Sequence, residues 1–296
     1  MASLDRIIGM NAYTVKEGKQ RAQHKVIFNS LASLCDYNAA VSLLGTGAGW
    51  HRTVNKINYA FKGAKTPQEA LKLAVHGWPE GAERINQLMV IAQDMGARKH
   101  STRYDVAGDT FDPFRHAAGL PDYMSYEGEA SGKKKVVRLA VNLSASCAVP
   151  NAHLENYGAA LLSLVDALES KGLSVELTSY SRSKQQGQSV TVKVGLKRAG
   201  EPLDVERVAY ALVHPSFYRT MIFCVFGMNP KYAFLGGGLG QPDSVKSSEI
   251  EDDDVILIDG VEHIGRKHVT TPESARDYMI ARINAELGED ILEVEG

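Results

Sequence analysis

The chain has 296 residues, 44% of them hydrophobic, with a formal charge of −2 and an isoelectric point near 6.5. That length suffices for one large core or two ordinary ones, and the near-neutral charge excludes a global field that would drive non-specific binding to DNA or anionic membranes. Met1-Ala2-Ser3-Leu4-Asp5-Arg6 lacks the basic-then-apolar order of a signal peptide, and no apolar run approaches the ~20 residues of a membrane span. The widely spaced Cys35, Cys147 and Cys224 form no C-x-x-C pair, which predicts a reduced, cytoplasmic protein without membrane insertion.

Residues 1 to about 95 read as helical segments punctuated by Gly45-Thr46-Gly47-Ala48-Gly49-Trp50 and Gly77-Trp78-Pro79-Glu80-Gly81, with no simple sheet pattern. The clearest helix opens at Thr66-Pro67-Gln68-Glu69. Thr66 can cap it, Pro67 suits the first turn, Glu69 completes a capping box, and Ala70, Leu71, Leu73, Ala74 and Val75 form the apolar side before Gly77 ends it. A second helix, Glu80 to Asp94, places Ile85, Leu88, Met89 and Ala92 on one face, so the pair reads as a helical hairpin. From Arg98 to about Gly132 the density of charge and turn residues predicts an extended connector with one or two short strands. Lys133-Lys134-Lys135 reads as a solvated strand entrance. The expected organisation is a mainly helical region with its connector over 1–132 and an α/β domain over 133–296.

Beyond residue 133 the period changes. Val136-Val137-Arg138-Leu139-Ala140-Val141 is a buried strand, Leu154 to Ser170 a helix ending at Gly172, and Ser174 to Tyr180 a second strand. Strand, helix and strand at this spacing form a parallel crossover. The polar segment Ser181 to Gly187 predicts a hairpin into a strand from Ser189 to Lys197, and therefore an antiparallel edge. Asp204 caps a helix from Val205 to about Val213. Met221 to Phe226, almost wholly apolar, fits a buried strand or the end of a buried helix, which periodicity alone does not separate, with strand the favoured reading; Asp254 to Gly260 is a clear buried strand, and Thr271-Pro272-Glu273-Ser274 opens the last helix. The fold class is α/β, a Rossmann-like, mostly parallel sheet with a helical amino-terminal region.

In such a sheet ligands bind beyond the carboxyl ends of the strands. That rule selects Asn142-Leu143-Ser144-Ala145-Ser146, the glycine-rich loop Phe234 to Gly240, and Asp259-Gly260. Hydroxyl, amide and carboxylate oxygens at Asn142, Ser144, Ser146 and Asp259 are hard ligands of the kind that suit Mg or Mn. The same serines also serve as turn and capping residues. Gly236-Gly237-Gly238 lacks the lysine and hydroxyl of a phosphate-binding loop and reads as a turn. Ser144 and Ser146 sit in no nucleophile elbow, although His153 and His214 are the available bases. His263 and His268 could join a metal site, but they read as solvated loop residues, as Asp105, Asp109 and Asp112 with Asp252, Asp253 and Asp254 read as solvated acidic groups. Trp50 and Trp78 read as core aromatics.

The order of strand, Asn142-x-Ser144-x-Ser146, helix, strand, hairpin strand, glycine-rich loop and strand ending Ile258-Asp259-Gly260 resembles a von Willebrand factor A-type domain over roughly residues 136 to 290. The resemblance implies Ser144, Ser146 and Asp259 as metal ligands and capture of a partner's carboxylate through the ion. Asn142 stands where the family carries aspartate, and no threonine in the glycine-rich loop matches its remaining ligand. With Gly77-Trp78-Pro79-Glu80-Gly81 and Val106-Ala107-Gly108-Asp109, the amino-terminal region resembles phage-encoded proteins without an assigned activity, which would place the chain in the host cytoplasm. The resulting expectation is a non-enzymatic module docking a protein partner through Asn142, Ser144, Ser146 and Gly236-Gly237-Gly238. Two alternatives stand beside it: a metal-dependent enzyme acting on phosphate or nucleotide groups, and a nucleic-acid-binding protein using Arg98-Lys99-His100, Lys133 to Lys135 and Arg182 to Lys184.

Overall fold

The structure, a computed structural model, describes residues 11–17, 21–43, 62–92, 102–106, 110–111, 113–121, 123–127, 135–146, 148–236, 239–250, 254–287 and 292. In chain order it begins with strands β1 (Asn11–Glu17) and β2 (Arg21–Phe28) and helices α1 (Leu31–Leu43), α2 (Pro67–His76) and α3 (Pro79–Ala92). Short elements follow: β3 (Thr102–Asp105), β4 (Thr110–Phe111), α4 (Pro113–Ala117) and β5 (Met124–Glu127). The remainder comprises β6 (Val136–Asn142), α5 (Asn151–Ser170), β7 (Ser174–Gln185), β8 (Gln188–Lys197), α6 (Val205–Val213), a π-helical turn (Phe217–Ile222), α7 (Phe223–Met228), a 3-10 turn (Pro230–Leu235), β9 (Gln241–Pro242), β10 (Val255–Ile258) and α8 (Pro272–Leu287).

The main sheet runs β1-β2-β8-β7-β6-β10, and β9 pairs with β7 beyond the end of β6. β10 with β6, β6 with β7 and β2 with β8 are parallel, whereas β7 with β8, β1 with β2 and β9 with β7 are antiparallel. The fold is therefore α/β with a mixed, largely parallel sheet of the Rossmann-like kind. β3, β5 and β4 make a separate three-stranded antiparallel sheet where one or two strands were expected.

Strand alternation assigns the two faces. Val137, Leu139 and Val141 of β6 lie level with Val175, Leu177 and Ser179 of β7, and Val190, Val192 and Val194 of β8 level with His24, Val26 and Phe28 of β2. This face meets the helices. α5 is almost wholly buried on it, with Leu161, Leu162, Leu164, Val165 and Leu168 fully enclosed, each worth roughly 2 kcal/mol by the area it removes from water. The opposite face carries a smaller apolar cluster of Ala140, Tyr180 and Leu257, covered by Val245 and Ile250 from the segment before β10.

The expected helix boundaries at α2, α6 and α8 rest on the caps read from sequence. Thr66 Oγ1 accepts from Glu69 N–H at 3.1 Å, Asp204 Oδ1 from Arg207 N–H at 3.1 Å, and Thr271 Oγ1 from Ser274 N–H at 3.2 Å. Gly77 ends α2 at φ +87, where its N–H reaches Leu73 O. Gln186 and Gly187, at φ +51 and +78, make the two-residue turn of the β7–β8 hairpin.

Three expectations are corrected. The region before residue 95 is not only helical, because β1 and β2 form a hairpin there; β2 shows just Val26 and Phe28 to the core, and apolar Ile27 between them blurs the alternation. β8 is not an edge strand, because β2 pairs along it in parallel. Met221 to Phe226 is helical, divided between the π-helical turn and α7; buried on all sides, an apolar run of this length carries no periodicity that separates helix from strand. Chain from both sides of residue 133 shares one core, since Ala82 and Ile85 of α3 pack with residues of β6, α5 and α8.

Candidate functional site

The loop after β6 is held from within. Leu143 N–H extends the ladder to Tyr180 O at 2.7 Å, and the Asn142 side chain then turns the chain, its Oδ1 accepting from Ser144 N–H at 3.0 Å. Asn142 Nδ2 donates to Asp243 O at 3.2 Å and lies 3.5 Å from Asp259 Oδ1. Ser144 is fully buried. Its hydroxyl donates to Arg182 O at 3.1 Å and accepts from Arg182 N–H at 2.6 Å, which ties the loop to the part of β7 that runs on past β6. Ser146 is half-buried; its Oγ accepts from Ala148 N–H at 3.2 Å and its carbonyl from Arg219 Nη2 at 2.9 Å.

Asp259-Gly260 closes against this loop. A Cβ on Gly260 would lie 3.0 Å from Asn142 O and 3.1 Å from Ser144 O, so glycine is what permits the approach. Tyr157 of α5 donates its phenol to Asp259 O at 3.2 Å, and burial pushes that phenol well above its ordinary pKa. The glycine-rich loop joins indirectly. Gly236, at φ +63, ends the 3-10 turn and lies beside Gln185, while Gly240 packs on Ser183 and Lys184 and leads through β9 to Asp243. Gly237 and Gly238 lie outside the described residues. Asn142, Ser144 and Asp259 are thus brought together, Ser146 follows on the same loop, and Gly236 lies beside Gln185 at the end of β7.

Beneath the loop a cavity of about 30 Å³ is lined by Leu143, Ala145, Leu154, His214, Tyr218 and Arg219, among others. It has room for one or two waters rather than a metabolite. Burial raises the Tyr218 phenol, and burial lowers His214 to about 4 against a weaker opposing pull from Glu69, so the ring is neutral near pH 7. His214 Nδ1 is 2.8 Å from Ser216 Oγ, which in turn is 3.1 Å from Tyr210 OH. This serine–histidine pair is not one expected from sequence, and Ser216 is fully buried, out of reach of a substrate. Trp78 sets its ring edge-on to His214 at 4.6 Å and packs against both main core clusters, the core role read for it.

The donor set fits a divalent cation poorly. The Ser144 hydroxyl is enclosed and bonded on both sides to Arg182, Asn142 Oδ1 already accepts from Ser144 N–H, and Asp259 is the single carboxylate. Among the described residues no group of three His, Cys, Asp or Glu side chains could hold a metal; His263 is exposed and His268 packs on Tyr278 at 5.3 Å. Of the basic segments, Arg182 is buried in ion pairs with Asp243 and Glu249, whereas Arg98 to His100 with Lys133 and Lys134 lie outside the described residues. Asp109, Asp112, Asp252, Asp253, Trp50 and Cys147 do too. Cys35 and Cys224 are free, buried thiols, pushed up by burial to about 11 and about 12. Among the described residues no helix is long and apolar enough to cross a membrane.

Sequence reasoning missed Asp243, Tyr157, Tyr218 and Arg219, and it gave Arg182 only as part of a basic segment, not as the residue that holds the loop. Arg182 stands in a polar run that reads as a hairpin turn, although β7 continues through it to Gln185. Tyr218 and Arg219 lie on the π-helical turn, an element whose position no local pattern announces.

Fold and site together define a mixed α/β protein with a preassembled surface at the carboxyl ends of its central strands. The chain belongs to the family described as domain of unknown function DUF7192, whose model matches residues 14–286. No curated protein and no solved structure matches it.

Proposed function

We propose that the chain is a non-enzymatic interaction module that docks a protein partner at the strand-end loops. The observation that carries this reading is the fit of Gly260 into the Asn142–Ser144 loop, which holds two loops in one geometry before any partner arrives. Preorganisation of this kind lowers the ordering cost of association. Around the junction, Ala148 and His263 are exposed and Ser146, Asp259 and Glu262 half-exposed, a mixed polar rim suited to a protein surface. The succession of β6, its loop, α5, β7, β8 and β10 ending at Asp259-Gly260 supports a likeness to a von Willebrand factor A-type domain. The engaged oxygens of Asn142 and Ser144 favour direct contacts over a bridging ion.

Affinity capture from cells of the source organism, with the parent chain and Glu262→Arg compared at equal melting temperature, tests the reading. A protein retained by the parent and lost by the variant is expected; equal retention would overturn the assignment of the surface. Up to 10 mM Mg²⁺ or Mn²⁺, an amount chosen to be on the order of tenfold above a weak millimolar site, is expected to leave the melting temperature unchanged. A rise that Asp259→Ala abolishes would restore the cation.

A further inference from the structure

The outer sheet face, away from the helices, carries a line of cations. Lys25 of β2 is level with Thr191 of β8, and Thr191 with Arg182 of β7, so Lys25, Arg182 and Lys184 project from one face, next to Tyr180 and Asn142. Across them lies the segment 241–250. Asp243 Oδ2 is 3.3 Å from Arg182 Nε and 3.8 Å from Lys184 Nζ, Arg182 Nη1 donates to Glu249 Oε2, and Lys25 Nζ donates to Glu249 O at 3.2 Å. Between the two carboxylates Val245 enters the apolar patch of Ala140, Tyr180 and Leu257. The segment pairs with β7 at Gln241 and Pro242, and Asp243 N–H adds one further bond to Arg182 O at 3.2 Å. Beyond Asp243 its attachment to the face is the Arg182 and Lys25 contacts of Glu249 and the aliphatic side chains of Val245 and Ile250.

We propose that residues 241–250 occupy, in cis, a docking groove for an acidic segment of a partner protein, with Arg182 and Lys184 receiving carboxylates, Lys25 receiving a backbone carbonyl as it does from Glu249, and the Ala140–Tyr180–Leu257 patch receiving an aliphatic side chain. The spacing Asp243-x-Val245-x-x-x-Glu249 states the motif. A partner offering the same pattern exchanges like for like: Arg182 never loses its carboxylates, so the large cost of a buried, unpaired guanidinium is avoided. Arg182 and Lys25 are 7% and 8% exposed beneath the segment, so access requires it to lift. The surface is separate from the strand-end loops but communicates with them, since Asn142 Nδ2 holds Asp243 O.

The test uses the full chain and, as probe, a labelled synthetic peptide with the sequence of residues 240–254, followed by fluorescence anisotropy. Glu249→Gln, alone and with Asp243→Asn, weakens the internal segment and leaves the cations in place. Binding to these variants is expected to be at least about tenfold tighter than to the parent and to weaken with added salt, as exposed ion pairs do. It should fall again when Lys184→Gln is added, and a peptide carrying the same two neutral replacements should not bind. Glu249→Gln alone serves if the double variant does not fold. Unchanged affinity in a folded variant, equal binding of the neutral peptide, or tighter binding of single-stranded DNA than of the acidic peptide would each overturn the proposal.

Discussion

Gly260 illustrates how much a single absent atom decides. A Cβ there would lie 3.0 and 3.1 Å from the carbonyl oxygens of Asn142 and Ser144, so Gly260→Ala crowds two backbone carbonyls that have to give by a few tenths of an ångström. The expected cost is about 1–3 kcal/mol, read as a lower melting temperature, with Asn142 and Asp259 separating. His214 gives a second residue-level outcome. Its folded-state pKa lies below the unfolded value, so between about 6.5 and about 4 the unfolded chain binds a proton that the folded chain refuses, and stability falls as pH drops through that window. The magnitude is roughly 3 kcal/mol across the whole window. In His214→Gln the difference in unfolding free energy between pH 7 and pH 4.5 should be smaller by a corresponding amount. At this scale the site was half legible. Asn142, Ser144 and Asp259 could be picked out because strand ends and turn residues are written locally. Their bonding partners Arg182, Tyr157 and Asp243 are distant in sequence, and nothing near any of them points to the loop.

Elements with end signals were readable, and elements defined by their neighbours were not. Thr66, Asp204 and Thr271 each announce a helix because capping is a contact of three residues. Asp204→Ala is expected to cost about 1 kcal/mol by urea denaturation, with Arg207 N–H left to solvent. β2, by contrast, becomes a strand because β8 offers it an edge, and its alternation carries two core residues only. Met221 to Phe226 departs from the favoured strand reading, and is helical, for the converse reason: its residues are all buried, packed by α1, α2 and α6 among others, so hydrophobicity records burial and loses the helical period. The 241–250 segment has only the two residues of β9 and a single 3-10 turn at Ser247–Glu249, and its importance comes from the buried Arg182 below it.

The whole molecule is organised around a sheet to which both halves of the chain contribute. β2 covers β8, α3 packs on α5 and α8, and Trp78 links the two main clusters. A fragment comprising 133–296 would leave the β8 edge unpaired and strip Val26, Phe28, Ala82 and Ile85 from the core. It is expected to aggregate or to melt without a cooperative transition; a sharp, reversible transition would show that the carboxyl part folds alone. The family match across residues 14–286 likewise runs through residue 133. α5 runs back from the carboxyl end of β6 to the amino end of β7, which sets Ser146 and Lys171 at opposite ends of the sheet. That separation allows the most direct test of docking at the strand-end loops. A photo-crosslinking residue placed at Ser146, and separately at Lys171, would be irradiated in cells of the source organism. The account predicts a discrete protein adduct from position 146 and none from 171; adducts from 171 alone, or equally from both, would contradict it.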